Sequence, residues 1–173
     1  NLFPSQIRCP ASFEQSLYLN ESWNNYRLSL QDQYAIVDNL MLTVGIGLSY
    51  NDNINETTIA PRLALVWQLT DQHLLKAQYS TGFRTPTYFE LYNFRGDKND
   101  LESEQIDTLE LGYIYKRHSG LAKVTLFYSQ LNDLIHPQIA NNPNQPITQN
   151  YLNQSEAKTS GIELEWEQTL SKQ

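Results

Sequence analysis

The amino-acid sequence predicts an all-β fold, an antiparallel up-and-down segment of a transmembrane β-barrel. Three observations carry this reading. Apolar residues recur with period two in about eight stretches, the connections between them alternate short and long, and aromatic rings gather at both ends of the apolar faces.

Phe13 to Asn20 is the weakest candidate strand. Tyr26, Leu28, Leu30, Tyr34 and Ile36 then alternate with Arg27, Ser29, Gln31 and Gln33; Asp32 interrupts the apolar side, through either a bulge or an interfacial position. Leu40, Leu42, Val44, Ile46, Leu48 and Tyr50 form the clearest run, against Thr43, Gly45, Gly47 and Ser49. The pattern returns at Leu63, Leu65, Trp67 and Leu69, and at Leu75, Ala77, Tyr79 and Phe83. It continues at Leu109, Leu111, Tyr113 and Tyr115, at Val124, Leu126 and Tyr128, and at Ile162, Leu164 and Trp166. Each stretch is close to the ~9 to 11 residues of a tilted membrane-spanning strand, longer than the ~5 to 6 usual in globular sheets.

Asp38-Asn39, Asp71-Gln72 and His118-Ser119-Gly120 read as short turns, whereas 51–58, 85–105 and 136–157 read as long polar loops. Strict alternation places the turns at one end of the sheet and the loops at the other. Threading the strands up and down then sets Tyr34, Trp67, Tyr113, Tyr115 and Trp166 near the turn end, and Tyr26, Tyr50, Phe83 and Tyr128 toward the loop end. Two such girdles mark the edges of a lipid-facing band, where a ring meets hydrocarbon on one side and water on the other. A soluble β-sandwich, with the rings in its core and loop aromatics binding carbohydrate or an adhesive partner, is the alternative.

Composition narrows the function. The chain of 173 residues carries a net charge of −7, and its 12 Lys and Arg are scattered, which argues against nucleic acid as a partner. The one cysteine, Cys9, permits no internal disulfide and no Cys-based metal cluster. Mean hydropathy is −0.53. No apolar run approaches the ~18 residues of a spanning helix, a test that barrels pass unseen because every second strand residue faces a polar lumen.

Five stretches resemble successive strands of TonB-dependent outer-membrane receptors: "SLQDQYAIVDNLMLTVGIGLSYND", "APRLALVWQLTDQHLLKAQYSTGFRTPTYFELYN", "NDLESEQIDTLELGYIY", "VTLFYSQLNDLI" and "YLNQSEAKTSGIELEW". The resemblance implies a 22-stranded barrel, an N-terminal plug domain inside it and a box that engages TonB, none of the latter two recognisable here. Residues 1–173 are accordingly expected to form part of the barrel, about a third of its strands, without the plug or the C-terminal strand. It further implies residence in the outer membrane of a Gram-negative bacterium, contact with its lipid, TonB as partner through the missing plug, and uptake of a scarce solute, foremost a ferric siderophore or similar metal chelate. Haem receptors that it also resembles place a His after Phe-Arg-x-Pro; here 85–101 holds none, which lowers that option.

No catalytic signature appears, neither G-x-S-x-G, a Walker loop nor H-E-x-x-H, and no enzyme, cofactor or metal site is expected. Gly45-Ile46-Gly47 lacks the third glycine of a dinucleotide motif. In the family the Phe-Arg-x-Pro stretch ends an upward strand, and Phe83-Arg84-Thr85-Pro86 is expected to do so, with Pro86 stopping the ladder. The rings that follow, Tyr88, Phe89, Tyr92 and Phe94, with Arg95 and His136, are the candidate ligand contacts of the outer loops; packing against neighbouring loops is the competing role of any one ring. Arg62, Lys76, Arg84, Glu110, Lys116, Glu163 and Glu165 fall on the non-apolar face, as candidates for plug contact or hydrated lumen wall.

Overall fold

The computed structural model describes residues 22–92, 98–139 and 149–169. Seven strands follow one another: β1 (Asn25–Val37), β2 (Leu40–Asn51), β3 (Glu56–Gln68), β4 (His73–Arg84), β5 (Glu104–Arg117), β6 (Gly120–Ile139) and β7 (Gln149–Gln168), with one short helix, α1 (Tyr88–Leu91), between β4 and β5. They form a single sheet in sequence order, antiparallel throughout. The stretch Phe13 to Asn20 lies outside the described residues.

Register sorts the side chains onto two faces. One row runs Tyr34, Leu42, Leu65, Ala77, Leu111, Leu126, Ile162 across all seven strands, an unbroken apolar line. Two residues toward the turns it repeats on β2–β7 through Leu40, Trp67, Leu75, Tyr113, Val124 and Leu164, and two residues toward the loops through Val44, Leu63, Tyr79, Leu109 and Tyr128, between Asp32 and Ser160. The apolar side chains of this face stand exposed, Leu30 at 61 %, Leu111 at 51 % and Leu164 at 78 %. The buried apolar residues of the described chain are Ala60, Leu91 and Leu101. A sandwich would cover this face with a second sheet; here one layer leaves its whole apolar band open, as a barrel wall does toward lipid. Among the described residues, no helix is long and apolar enough to cross a membrane.

Several boundaries differ from the sequence expectation. β2 and β3 run to Asn51 and from Glu56, so the expected long loop 51–58 is a four-residue connection with Asn55 at φ 51°. β6 and β7, 20 residues each, extend through most of 136–157, so His136 is not at a loop start but within β6, opposite Leu152. The β7 extension is mostly polar, and the β6 extension is a short Ile-His-Pro-Gln-Ile stretch whose proline argues against a strand. Asp32 pairs with Val44 without a register shift, so it makes no bulge; the irregularity of this ladder lies between Ala35 and Val37.

The ladders are uneven. β2–β3 pairing reaches Asn51↔Glu56 and β4–β5 reaches Arg84↔Glu104, but β3–β4 stops at Arg62↔Ser80. Pro61, with no N–H to give, is the next residue of β3. At the opposite end the tight β6–β7 edge depends on Gly120, where an added Cβ would collide with the Glu167 carbonyl oxygen. Gly120→Ala is expected to cost about 1–3 kcal/mol, whereas Gly112→Ala, whose nearest neighbour would be 3.8 Å away, stays within about 0.5 kcal/mol. Urea midpoints of the two variants of the parent protein check the contrast.

Candidate functional site

At the loop end the segment after β4 folds back over the sheet. Pro86 ends the strand and is buried, and Thr87 starts α1. The Glu90 carboxylate turns back to accept the Thr87 N–H at 2.6 Å and its hydroxyl at 2.8 Å, joining helix start to helix end in one turn. Apolar anchors then seat the segment: Leu91 is 2 % exposed and Leu101 4 %.

Arg84 organises the base. Its Nε donates to Glu104 at 2.6 Å, and Nη1 and Nη2 donate to the two oxygens of Glu90 at 3.0 and 3.1 Å. A planar fork facing two carboxylates is the arrangement that guanidinium fits best. Glu104 also accepts the Ile135 N–H at 2.9 Å, which carries the network into β6. Arg84 is therefore committed within the chain, unlike Arg62, Lys76, Glu110, Lys116 and Glu163, which form no ion pair with another described residue. Both carboxylates lie above the apolar band. Burial pushes Glu90 up, but Arg84 and the Thr87 donors outweigh it and hold it below its ordinary value of 4.5. Arg84 foremost, with the Ile135 N–H, holds Glu104 below 4.5 against its burial.

Depressed values mean that the docking energy is complete above pH 4.5 and is lost as pH falls through them. Proteolysis of 85–103 in the parent protein should accelerate below that pH and stay flat above it.

Further contacts tie the segment across the sheet. Ser103 donates through N–H and Oγ to Glu56 of β3, at 3.0 and 2.7 Å. Tyr92 donates to Asn53 Oδ1 at 3.0 Å, and Lys98 to the Asn53 carbonyl. On the far side Asn153 of β7 accepts the Glu102 N–H at 2.9 Å and donates to the carbonyls of Glu102, at 3.0 Å, and Asp133, at 2.6 Å. Asp133, at φ 57°, sits where the β6–β7 register shifts. One loop thus spans from β2–β3 to β7.

The candidate ligand residues divide. Tyr88 stacks on Trp23 at 6.2 Å, with Tyr92 at 5.0 Å and Phe89 edge-on at 5.8 Å, so Tyr88 and Tyr92 are packed within the loop layer. Phe89 alone of these projects, 75 % exposed. His136 is exposed on β6, away from that cluster in sequence and strand. Phe94 and Arg95 lie outside the described residues. Among the described residues, two buried polar atoms, the Tyr88 hydroxyl and Asn53 Nδ2, find no hydrogen-bond partner.

On the polar face, Lys123 meets Glu165 at 3.4 Å, and Glu163 stands opposite Thr125. Arg62, Lys76, Glu110 and Lys116 share this face, and no ion pair joins any of them to another described residue. Among the described residues no group of three or more His, Cys, Asp or Glu side chains is placed to hold a metal ion.

The aromatic edges are displaced in one sense across the sheet. Trp166 lies four residues below Ile162, which is level with Tyr34, and Trp67 two below Leu65 on the same row. At the other edge Tyr26 stands eight above Tyr34 and stacks on Tyr50 at 6.4 Å, while Tyr128 stands two above Leu126. Both aromatic edges descend in the same sense across the sheet, the turn edge to Trp166 on β7 and the loop edge to Tyr128 on β6. Tyr113 and Tyr115 flank His73, Tyr113 through a 2.6 Å bond to Nδ1 and Tyr115 with rings 5.0 Å apart. Phe83 stands apart from the girdle: its ring is half-buried with the Arg27 guanidinium 6.0 Å away. Arg27 belongs to the polar face, and β4 is free of β3 at that level, which allows the ring to turn there. Tyr79, level with Tyr128 through Leu109, takes the girdle place instead; parity and depth in its strand were the signal for it.

A family model described as TonB dependent receptor-like, beta-barrel, matches residues 11–171. No curated protein sequence matches the chain. Among solved structures, the ferric enterobactin receptor PfeA of Pseudomonas aeruginosa (G324V mutant) is similar at 21 % identity and TM-score 0.69, over 81 % of this chain and 24 % of that one. The siderophore receptor PirA of Acinetobacter baumannii gives 15 % and 0.68, over 94 % and 29 %. The FrpB iron transporter of Neisseria meningitidis (F5-1 variant, apoprotein) gives 12 % and 0.65, over 98 % and 28 %. The chain spans about a quarter of the length of these structures, and the shared feature is the fold. With an open antiparallel sheet, an exposed apolar band on one face and a family match over nearly all its length, the chain belongs to the TonB-dependent receptor-like β-barrel family.

Proposed function

We propose that the chain forms part of the wall and mouth of an outer-membrane receptor that captures a ferric siderophore at its outer loops and passes it through the barrel, energised through TonB. The observation that carries the reading is the one-layer sheet itself, apolar between two aromatic edges on one face, polar on the other, with a structured loop across one end. Relatives described as receptors for ferric enterobactin and siderophores support the solute class. Phe89 is the ring best placed for first contact, with Phe94, Arg95 and His136 as the further candidates; Tyr88 and Tyr92 serve by holding Phe89 in position. A ring face suits a planar aromatic chelator, and a guanidinium suits an anionic one. Arg62, Lys76, Glu110, Lys116, Glu163 and Glu165 line the lumen in this reading, toward the plug and the passing solute.

The test uses iron-starved cells carrying the full-length receptor, supplied with radio-iron as a ferric tris-catecholate. Uptake that needs both the receptor and TonB is the expected result; iron entering equally without the receptor would refute the proposal. Phe89→Ala should weaken chelate binding by about three- to tenfold, with cell-surface receptor unchanged.

A further inference from the structure

The polar face is not evenly charged. On β1–β4, from Thr58 of β3 down to the short turns, it carries Arg27, Arg62, Lys76 and Arg84 and no acid; Arg84, at the loop end of β4, is already held by Glu90 and Glu104, which leaves Arg27, Arg62 and Lys76. The acid above them, Glu56, already accepts two hydrogen bonds from Ser103. The acids Glu104, Glu110, Glu163, Glu165 and Glu167 stand on β5–β7, against the two cations Lys116 and Lys123, of which Lys123 meets Glu165; Glu104 is held by Arg84.

The three cations are regularly spaced. Arg62 is level with Gln31, four residues below Arg27, and Ser80 is level with Arg62, four residues above Lys76. Each step is about 14 Å along the strand direction at ~3.4 Å per residue. The row through Arg62 reads Gln31, Gly45, Arg62, Ser80, Thr108, Ser129, Thr159, a single charge among amide, hydroxyl and glycine positions in all seven strands. Beside it lies a recess of about 410 Å³, lined in part by Gln31, Thr43, Gln78, Ser80 and Thr108. A guanidinium with no acid partner among the described residues, beside a space lined by amide and hydroxyl side chains together with Leu63, Ala64 and Ile106, suits an anionic ligand that carries both oxygens and apolar surface. Low-dielectric walls around unbalanced charge also raise the local concentration of anions.

We propose that Arg27, Arg62 and Lys76 form a transit ladder for an anionic solute along the β1–β4 wall, with the Arg62 recess as its middle station. This rests on the transport reading and adds the route and the sign of the cargo's charge. The acidic β5–β7 wall repels such a solute and confines it to the ladder.

Arg62→Gln, Lys76→Gln, the double variant and Arg62→Lys are compared in the full-length receptor on iron-starved cells. The probes are an anionic ferric tris-catecholate and a neutral ferric trihydroxamate, both with radio-iron, read as surface binding in de-energised cells and as uptake in energised ones. Each neutral substitution should slow tris-catecholate uptake about fivefold, with binding within about twofold, and Arg62→Lys should restore most of the rate. Trihydroxamate uptake, if the receptor supports it, should not respond. Retained surface binding shows that a variant is folded and inserted.

Unchanged tris-catecholate uptake in the double variant would overturn the ladder while leaving transport standing. Variants that instead admit a bulky antibiotic without any chelate would show that the cations hold a carboxylate of a domain lodged in the barrel, which also overturns it. A wild-type receptor that takes up neither chelate removes the transport reading and the ladder with it.

Discussion

Leu111→Arg is expected to cost about 2–4 kcal/mol of barrel stability, while Glu110→Arg, one residue away, is tolerated within about 1 kcal/mol. Leu111 sits on the apolar row between Ala77 and Leu126, inside both girdles and half exposed, so in a membrane its side chain has only hydrocarbon to meet. An arginine there must desolvate or drag water into the bilayer. Glu110 belongs to the opposite face, between Gln78 and Phe127, where a cation stays hydrated. Because side chains alternate, a shift of one position exchanges lipid for lumen. Folding of the two variants of the parent protein into lipid vesicles, followed by heat-dependent gel mobility and urea titration, measures the difference. Equal effects would mean that this face meets water.

Arg84→Met should release the loop from the sheet. The substitution keeps much of the side chain's bulk but leaves Glu90 and Glu104, side chains 16 % and 14 % exposed, facing each other without their cation. Breaking such a pair leaves like charges partly desolvated. Since Arg84 itself is 45 % exposed, solvent screening keeps the loss to about 1–2 kcal/mol of docking energy. That energy is local, so the barrel midpoint should hardly move while cleavage within 85–103 rises about tenfold. Arg84→Lys should fall between, a charge without the two-carboxylate fork. The two polar atoms beneath the loop that find no partner among the described residues, on Tyr88 and Asn53, already make its closed arrangement less favourable than full pairing would. A cleavage rate unchanged in Arg84→Met would mean that Leu91 and Leu101 hold the loop by themselves.

Strand identity and facing were legible in the sequence wherever one face is apolar, because period two survives without any tertiary information. Leu40 to Tyr50 shows it best, and its register with β1 and β3 keeps its apolar residues on one side except Met41, which faces the other side level with Ala35 and Val66. The same signal vanishes where strands leave the apolar band. Gln149 to Ala157 is paired strand with polar residues on both faces, and the paired stretch Ile135 to Ile139 carries Pro137, so they read as loop. Phe83 was misleading for a related reason: its parity is that of the girdle, but the β3–β4 ladder has already ended at its level and its ring packs near Arg27. The loop's contacts were out of reach. Arg84 meets Glu104 over 20 residues and Asn153 meets Glu102 over 51, separations that no local pattern encodes. Pro86 and the run of rings after it marked where the mouth begins, without showing that Tyr88 and Tyr92 pack and Phe89 projects.

The account rests on one face of this sheet lying against lipid, and tryptophan fluorescence addresses that directly. Trp67 and Trp166 stand 44 % and 71 % exposed at the turn-end girdle, while Trp23 stacks on Tyr88 at the mouth. In the parent protein inserted into vesicles, with other tryptophans replaced by phenylalanine, brominated acyl chains should strongly quench Trp67 and Trp166 and leave Trp23 bright. Trp67 and Trp166 as bright as Trp23 in a properly inserted barrel would contradict the account.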